Sequence, residues 1–176
     1  MRELVALVDE HGDVVGSEER SVVRRDNLRH GATAVLVRNG EGRIYIHRRA
    51  PHKDWAPSHH DAAAGGILRV HEDPAEAAAR EVAEELGFTP TSLRPLGLNH
   101  YEDDATRVVE HCFETTWDGP ISFVDDEVVW GAWLTMPGFA RLLADPTWPF
   151  VPDTRALLER LAQQGTGDYA TLRRED

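Results

Sequence analysis

Apolar residues along this chain recur mostly in short runs, separated by turn residues. Several runs alternate with polar residues at period two, which is typical of half-buried strands. The turns His11-Gly12-Asp13 and Asn39-Gly40-Glu41-Gly42 join consecutive runs and predict β-hairpins. The predicted strands are residues 4–8, 14–15, 32–38, 43–49, 107–116 and 128–134.

Helical patterns lie between and after these strands. Ser17 is positioned to cap a short polar helix that runs to about Asp26, and Thr154 to Gln164 has amphipathic periodicity. The tail after Gly165 is polar, and we expect it to be mobile. Together the elements predict one α+β domain over residues 1–176, with a mixed β-sheet flanked by helices and an N-terminal β-hairpin.

The segment from Asp73 to Gly87 predicts the best-defined helix. Asp73 is a candidate N-cap, Pro74 suits the first helical position, and Gly87 suits the residue after the last turn. At 100° per residue an apolar arc should pack on the sheet, and three glutamates cluster on an adjacent arc. The arc comprises Ala75, Ala78, Ala79, Val82 and Leu86, and the acids are Glu81, Glu84 and Glu85.

Three carboxylates on neighbouring turns repel one another, so a compensating charge is expected. Arg80 can neutralise one of them. A hard divalent cation such as Mg²⁺ or Mn²⁺ would account for the others, because oxygen-rich clusters favour such ions. The alternative is an acidic stripe that simply faces water.

Composition narrows the classes of function. Thirty-one acidic and 19 basic residues give a net charge of −12 and a pI near 5.1, which disfavours binding to nucleic acid or to an anionic membrane surface. Cys112 is the only cysteine, so an internal disulfide is excluded. We therefore expect a cytoplasmic protein that acts on a small molecule.

The spacing around the acidic helix resembles the Nudix box. Gly66 is followed after five residues by Glu72, and after seven more by Arg80-Glu81, with Glu84-Glu85-Leu86-Gly87-Phe88 beyond. The resemblance implies an α/β/α sandwich of the Nudix fold and metal-dependent cleavage of a diphosphate linkage. It also implies that Glu81, Glu84, Glu85 and the Gly65 carbonyl bind the metal, and that Arg80 supports the carboxylates.

Residues outside this motif resemble the isopentenyl-diphosphate isomerase-like branch of the Nudix superfamily. In the isomerases an Arg and a Lys that align with Arg49 and Lys53 hold the substrate diphosphate, and Arg48 is a further candidate. Lys53 is the only lysine of the chain, although an ordinary loop lysine is an equal alternative. The marks of this branch are residues 8–10, Gly12, Gly16, 28–30, 48–49, Lys53, Pro57, 125–128 and 148–150.

The isomerase machinery itself is missing. Its cysteine aligns near Ala64 and its neighbouring histidine at Gly66, whereas all three glutamates of the Nudix box are present. This favours hydrolysis of a small diphosphate, for example a nucleoside diphosphate linked to another group, by attack of water on phosphorus. An isomerase of prenyl diphosphates and a non-catalytic diphosphate-binding module stay open as alternatives.

Glu127 precedes a strand that contains tryptophan, a position from which other Nudix hydrolases take a metal ligand or general base. A solvated acid in the turn Asp125-Asp126-Glu127 is the alternative. We expect His30 to be packed or hydrogen-bonded, and His59 and His60 to be bystanders. The N-terminal hairpin could extend a partner's sheet, so a homodimer is possible on this pattern.

Overall fold

The structure is a computed structural model that describes residues 3–173. Within that range it contains nine strands, four α-helices and one 3-10 helix. The strands are β1 Leu4–Val8, β2 Val14–Glu19, β3 Arg29–Arg38, β4 Ile44–Arg49, β5 His60–Asp61, β6 Ala63–Ala64, β7 Arg94–Glu102, β8 Arg107–Thr116 and β9 Val128–Leu134. The helices are α1 Arg20–Arg25, α2 Pro74–Leu86, α3 Met136–Ala144 and α4 Pro152–Gln163, followed by the 3-10 helix Gly167–Leu172.

The strands form a mixed sheet around β3. β8 pairs with β3 in parallel along its whole length, whereas β1, β4 and β6 pair with it antiparallel over short stretches. β9 extends the sheet beyond β4, and β2 forms the N-terminal hairpin with β1. The mixed sheet and the hairpin confirm the prediction from the hydrophobic pattern.

Helices cover both faces of this sheet. On one face α2 packs against β3 and β4, and on the other face α3 and α4 pack against the same strands. Because both faces of β3 and β4 are buried, these strands are apolar on both sides. This three-layer α/β/α arrangement agrees with the predicted α+β class.

Short polar side chains set the two predicted turns. In the first hairpin the Asp9 carboxylate accepts hydrogen bonds from the backbone N–H groups of His11 and Asp13, at 2.8 and 3.0 Å. In the turn between β3 and β4 the Asn39 amide oxygen plays the same part, and Gly42 adopts a φ of +75°. Both turns are where the sequence predicted them.

Several elements differ from the sequence-based expectations, and the short strands β5 and β6 are among those not predicted. Ser17 lies in β2 opposite Ala6 instead of capping a helix, because pairing with β1 holds the chain extended up to Glu19. β7 was not predicted, since Pro95 and Gly97 interrupt its apolar pattern; a bulge there preserves its pairing with β8. α3 was also not predicted, because it begins with a proline and a glycine beside its Thr135 cap.

The polar tail was expected to be mobile, and this expectation is wrong for residues 167–172. They form the 3-10 helix, in which Tyr169 is only 1% exposed and packs into the core beside α4. The Tyr169 hydroxyl donates to Glu114, and Arg38 forms a paired ion contact with Asp168. The hydrophobic pattern does not predict this 3-10 helix, because its attachment to the core depends on a single aromatic residue, Tyr169. Residues 174–176 of that tail lie outside the described residues.

We predict that Tyr169→Ala lowers the free energy of unfolding by about 3–4 kcal/mol, because a large buried side chain is lost. Tyr169→Phe removes only the hydroxyl and should cost about 1 kcal/mol. Urea unfolding of the purified variants measures both. Gln163→Ala, an exposed change nearby, is the control and should stay within about 0.5 kcal/mol of the parent. A mobile tail would make all three variants equal.

Candidate active site

A cavity of about 320 Å³ opens between β3 and β4, which among the described residues pair only at Arg38 and Ile44. One wall consists of residues 63–67 and α2, and the opposite wall of the loop that follows β4 together with Glu127. The cavity is polar and has many charged side chains of both signs. They include Arg49, Lys53, Asp54, Asp61, Glu81, Glu84 and Glu127.

Capping positions α2 along the first wall. The Asp73 carboxylate accepts from the N–H groups of Ala75 and Glu76, and Gly87 ends the helix in the left-handed conformation with a φ of +74°. Both caps confirm the prediction. The apolar arc differs slightly, because Ala77 is buried and Ala75 is exposed.

Arg80 is the centre of an ion-pair network on α2. Its guanidinium donates to both carboxylate oxygens of Glu72, at 2.7 and 3.0 Å, and its Nη1 donates to Glu81 at 2.6 Å and to Glu84 at 3.2 Å. These bonds to Glu72 raise the pKa of Arg80 above its usual value. Burial alone would raise the pKa of Glu72, but its bonds to Arg80 outweigh this and lower it. The network fixes the direction in which Glu81 points.

Two glycines allow the wall to approach its neighbours closely. A Cβ on Gly65 would lie 2.0 Å from the Thr33 carbonyl oxygen, and a Cβ on Gly66 would lie 2.6 Å from the Glu81 carboxylate carbon. The Gly65 N–H donates to Glu85 Oε2 at 3.2 Å. Any side chain at these positions would push the segment away from β3 or displace the glutamate.

The acidic side chains of α2 differ sharply in exposure. Glu85 is 2% exposed, and burial, reinforced by the nearby Glu81 charge, raises its pKa well above the ordinary value. Burial also raises the pKa of Glu81, against the opposing effect of Arg80. Glu84 is half exposed at the cavity rim. Desolvated carboxylates are stabilised by a nearby cation, and one arginine shared among three partners does not reach Glu85.

These residues fit a hard divalent cation in chemical type. Glu81, Glu84 and Glu85 offer only oxygen donors, and Gly65 lies beside Glu85 at the cavity wall. Among residues 3–173, however, no three acidic, histidine or cysteine side chains are already gathered in a coordinating geometry. The reason is visible in the network, because Arg80 draws oxygens of Glu81 and Glu84 toward itself.

The second wall brings together Lys53, Glu127 and Arg49. Lys53 Nζ contacts the Glu127 carboxylate, and the guanidinium of Arg49 donates twice to the Trp55 carbonyl, at 3.1 and 3.0 Å. The two loops are joined by the backbone, since the Ala50 N–H donates to the Glu127 carbonyl at 2.8 Å. All three predicted residues therefore line the cavity.

Arg48 is a predicted site residue whose side chain points away from the cavity and from the other predicted residues. Its side chain is exposed and does not line the cavity, although Arg49 does. Successive residues of a strand point to opposite faces, and an irregularity in the pairing with β9 falls between these two arginines. Arg48 therefore lies apart from the side chains that the cavity brings together, and its binding of substrate stays a prediction.

The sequence did not single out the acids at the inner end of the cavity. Asp61, Glu110 and Asp153 are each less than a tenth exposed, and Thr154 donates to Asp61 at 2.7 Å while Asn99 donates to Glu110 at 2.7 Å. Burial raises the pKa of Asp153 to about 6, and raises those of the other two acids. Only Glu110 carried a signal, as an acid that directly follows the apolar pair Val108-Val109 of β8.

Three histidines expected to be structural or bystanders lie as follows. His30 is buried, its ring bonds to the Leu28 carbonyl at 3.0 Å, and burial lowers its pKa. His59 bonds to the Pro57 carbonyl, and His60 packs between Trp130 and Trp148. None of these contacts involves the carboxylates of α2.

Comparison with known proteins places this arrangement in a family. The NUDIX domain model matches residues 28–154. The chain is 41% identical over 166 residues to the Nudix hydrolase orf19 of Rhodococcus erythropolis, covering 89% of this chain and 90% of the relative. It is 37% identical over 133 residues to the Nudix hydrolase YfcD of Escherichia coli K12, covering 76% and 74%.

A solved structure agrees with these sequence relatives. DR0079 from Deinococcus radiodurans is 27% identical and superposes with a TM-score of 0.75, covering 90% of this chain and 98% of that one. The chain therefore belongs to the Nudix family and is a Nudix hydrolase, an enzyme class that cleaves diphosphate linkages in small molecules and generally uses divalent metal ions. The predicted Nudix fold is confirmed. No helix among residues 3–173 has the length and apolar character needed to cross a membrane.

We predict that Arg80→Met destabilises the protein by about 2 kcal/mol at pH 7.5, because it leaves half-buried carboxylates without their partner. The pKa of Glu72 is lowered in the folded state by its bonds to Arg80, so its contribution to stability is present at neutral pH and is lost as the pH falls below the ordinary glutamate value of 4.5. The deficit of the variant should therefore shrink on acidification. Urea unfolding of the parent and the variant at pH 7.5 and at about pH 3.5 measures this difference in the free energy of unfolding.

The control is Arg43→Met, which removes a solvent-exposed partner of Glu41. We expect a change within about 0.5 kcal/mol at either pH. Equal losses for Arg80→Met and Arg43→Met would contradict the structural importance of the network.

Proposed function

We propose that this protein is a Mg²⁺- or Mn²⁺-dependent hydrolase that cleaves the diphosphate linkage of a small molecule by attack of water on phosphorus. The observation that carries the proposal is a pair of desolvated carboxylates beside a cavity that Arg49 and Lys53 also line. Glu81 lines the cavity directly, and Glu85 is buried behind it and accepts a hydrogen bond from the N–H of Gly65, which lines the cavity. The metal ions would bind at the carboxylates, and the anionic substrate would bind between these ions and the side chains of Arg49 and Lys53.

Glu81, Glu84, Glu85 and the Gly65 carbonyl are the proposed metal-binding groups. When bound, a divalent ion would neutralise the diphosphate, polarise its phosphoryl oxygens and lower the pKa of water. Arg80 is proposed as a positioning residue, since it touches the carboxylates and aims Glu81 at the cavity. If Arg80 released Glu81 and Glu84, their carboxylate oxygens could turn toward the ion.

Arg49 and Lys53 are the proposed substrate-binding residues. The Arg49 side chain is held by the Trp55 carbonyl through Nε and one terminal nitrogen, which leaves the other terminal nitrogen for a phosphate oxygen. Lys53 supplies a mobile ammonium group from the neighbouring loop. The inner acids and Trp55 face the remaining space, where the leaving group would lie.

Glu127 is the proposed general base. It would accept a proton from the attacking water, whose oxygen forms a new bond to phosphorus. The bond between that phosphorus and the bridging oxygen breaks, and the bridging oxygen leaves with the second phosphate as an anion. The proton held by Glu127 then returns to solvent.

Isomerisation and binding without turnover, the two alternative functions, would require different residues in the cavity. Isomerisation of a prenyl diphosphate would need proton transfer to carbon, and Ala64 and Gly66 supply neither the thiol nor the imidazole of the isomerases. Cys112 is 2% exposed and is absent from the cavity lining. A binding module without turnover would have no use for a base beside the metal-binding carboxylates. Hydrolysis is therefore the function we propose.

A panel of diphosphates tests the proposal. Nucleoside diphosphate conjugates, coenzymes and isopentenyl diphosphate are incubated with Mg²⁺ or Mn²⁺ in ¹⁸O-labelled water, and the products are identified by mass. We expect ¹⁸O in one phosphate product and no isomerised prenyl diphosphate. Binding of the panel without any product, or isomerisation without ¹⁸O incorporation, would contradict hydrolysis.

We predict that Glu85→Gln and Glu81→Gln each lower kcat/KM by at least about 100-fold, because each removes a carboxylate proposed to hold the metal. Glu76→Gln is the matched control, since this glutamate lies on the same helix but is exposed and away from the cavity. It should retain activity within about twofold. Full turnover in the Glu81 and Glu85 variants would show that the roles are assigned wrongly.

A further inference from the structure

Lys53 and Glu127 form a contact that the proposed reaction must break. Lys53 Nζ lies against Glu127 Oε2, and the lysine side chain is only 12% exposed, so the ammonium group has little water around it. Yet Lys53 is proposed to bind phosphate, and Glu127 is proposed to take a proton from water. A carboxylate that is engaged by an ammonium group is a poor base, and an engaged ammonium group is a poor phosphate ligand.

Lys53 is the member of the pair that can bind an anion in the cavity, because its side chain lines that cavity and is cationic. The backbones of both residues are anchored, since the Glu127 N–H donates to Asp125 at 3.0 Å and the Lys53 N–H donates to the Ala50 carbonyl at 3.3 Å, so an exchange involves the side chains alone. The other cation of this wall, Arg49, is fixed to the Trp55 carbonyl. Lys53 has a flexible four-carbon stem and, among residues 3–173, no ion-pair partner other than Glu127.

We propose that Lys53 exchanges partners during the reaction cycle: it pairs with Glu127 in the free enzyme and with the substrate diphosphate in the complex, which releases Glu127 to act as base. The inference rests on the proposed function and deepens it. A diphosphate carries more negative charge than one carboxylate, so it competes effectively for the ammonium group. The availability of the base is thereby coupled to occupation of the cavity.

Because the chain has a single lysine, the exchange can be observed directly. Protein labelled with [ε-¹³C]lysine gives one side-chain ε-carbon resonance, which is followed in excess Mg²⁺ while methylenediphosphonate is added as a non-hydrolysable probe. We expect the Lys53 resonance of the parent and of Glu127→Gln to differ in the free state. After saturation with the probe the two resonances should converge, because the phosphonate has replaced Glu127 in the parent.

Two results would overturn the exchange. One is a Lys53 resonance that does not respond to a probe shown by calorimetry to bind. The other is a difference between parent and Glu127→Gln that persists undiminished in the saturated state, which would mean that Lys53 still contacts Glu127 beside the ligand.

Binding affinities give a second measurement. Lys53→Met should weaken binding of methylenediphosphonate by about tenfold, since one charged hydrogen bond is lost. Glu127→Gln should tighten binding by about fivefold in the parent, because Lys53 no longer has to leave a partner. In the Lys53→Met background Glu127→Gln removes only the repulsion between the Glu127 carboxylate and the anionic probe. The gain in affinity should therefore be at least about threefold smaller than in the parent.

An equal gain in affinity from Glu127→Gln in both backgrounds would mean that Glu127 only repels the probe, and it would overturn the proposal. The resonance comparison needs only Glu127→Gln, so it decides the question even if Lys53→Met fails to fold. Failure of the proposed function is distinguishable as well. In that case the diphosphate panel gives no product although the Lys53 resonance responds, whereas turnover with an unresponsive Lys53 would refute the exchange alone.

Discussion

The sharing of one guanidinium among three carboxylates is the interaction on which the site depends. Arg80 binds Glu72 through two hydrogen bonds and still reaches Glu81 and Glu84. Without that positive charge, like charges on adjacent turns of α2 would repel one another and turn toward water. With it, Glu81 is held over Gly66, where the missing side chain leaves room for its carboxylate. The helix is thereby kept in a charged arrangement that is ready to accept a cation.

The fold supplies the second wall of opposite charge. β6 and the two glycines insert between β3 and α2, and β4 carries Arg49 and the loop of Lys53 to the facing side. On the proposed function, an acidic protein with a net charge of −12 would bind an acidic substrate through the local positive charges and the metal ions at the cavity. The inner acids and Trp55 line the space beyond these walls, where the proposed leaving group would lie.

Local signals predicted the parts of this site that lie close together in sequence. The caps of α2, the three glutamates and Arg80 all fall within fifteen residues, from Asp73 to Gly87, and the structure has them where the spacing required. Contacts between distant segments were harder. The irregularity between Arg48 and Arg49 arises in the pairing with the distant strand β9, and the contact of Lys53 with Glu127 joins two loops 74 residues apart. The tail was predicted to be mobile because the local sequence does not show that Tyr169 packs into a core formed by distant segments.

The proposed metal site requires that Glu81 and Glu84 exchange Arg80 for a hard cation. Crystals of the protein soaked with Mn²⁺ and measured for anomalous scattering test it most directly. The account predicts a peak between Glu81, Glu85 and the Gly65 carbonyl, with the Glu81 carboxylate turned away from Arg80. A well-ordered site without such a peak at saturating Mn²⁺, or a peak bound only by residues elsewhere on the chain, would contradict it.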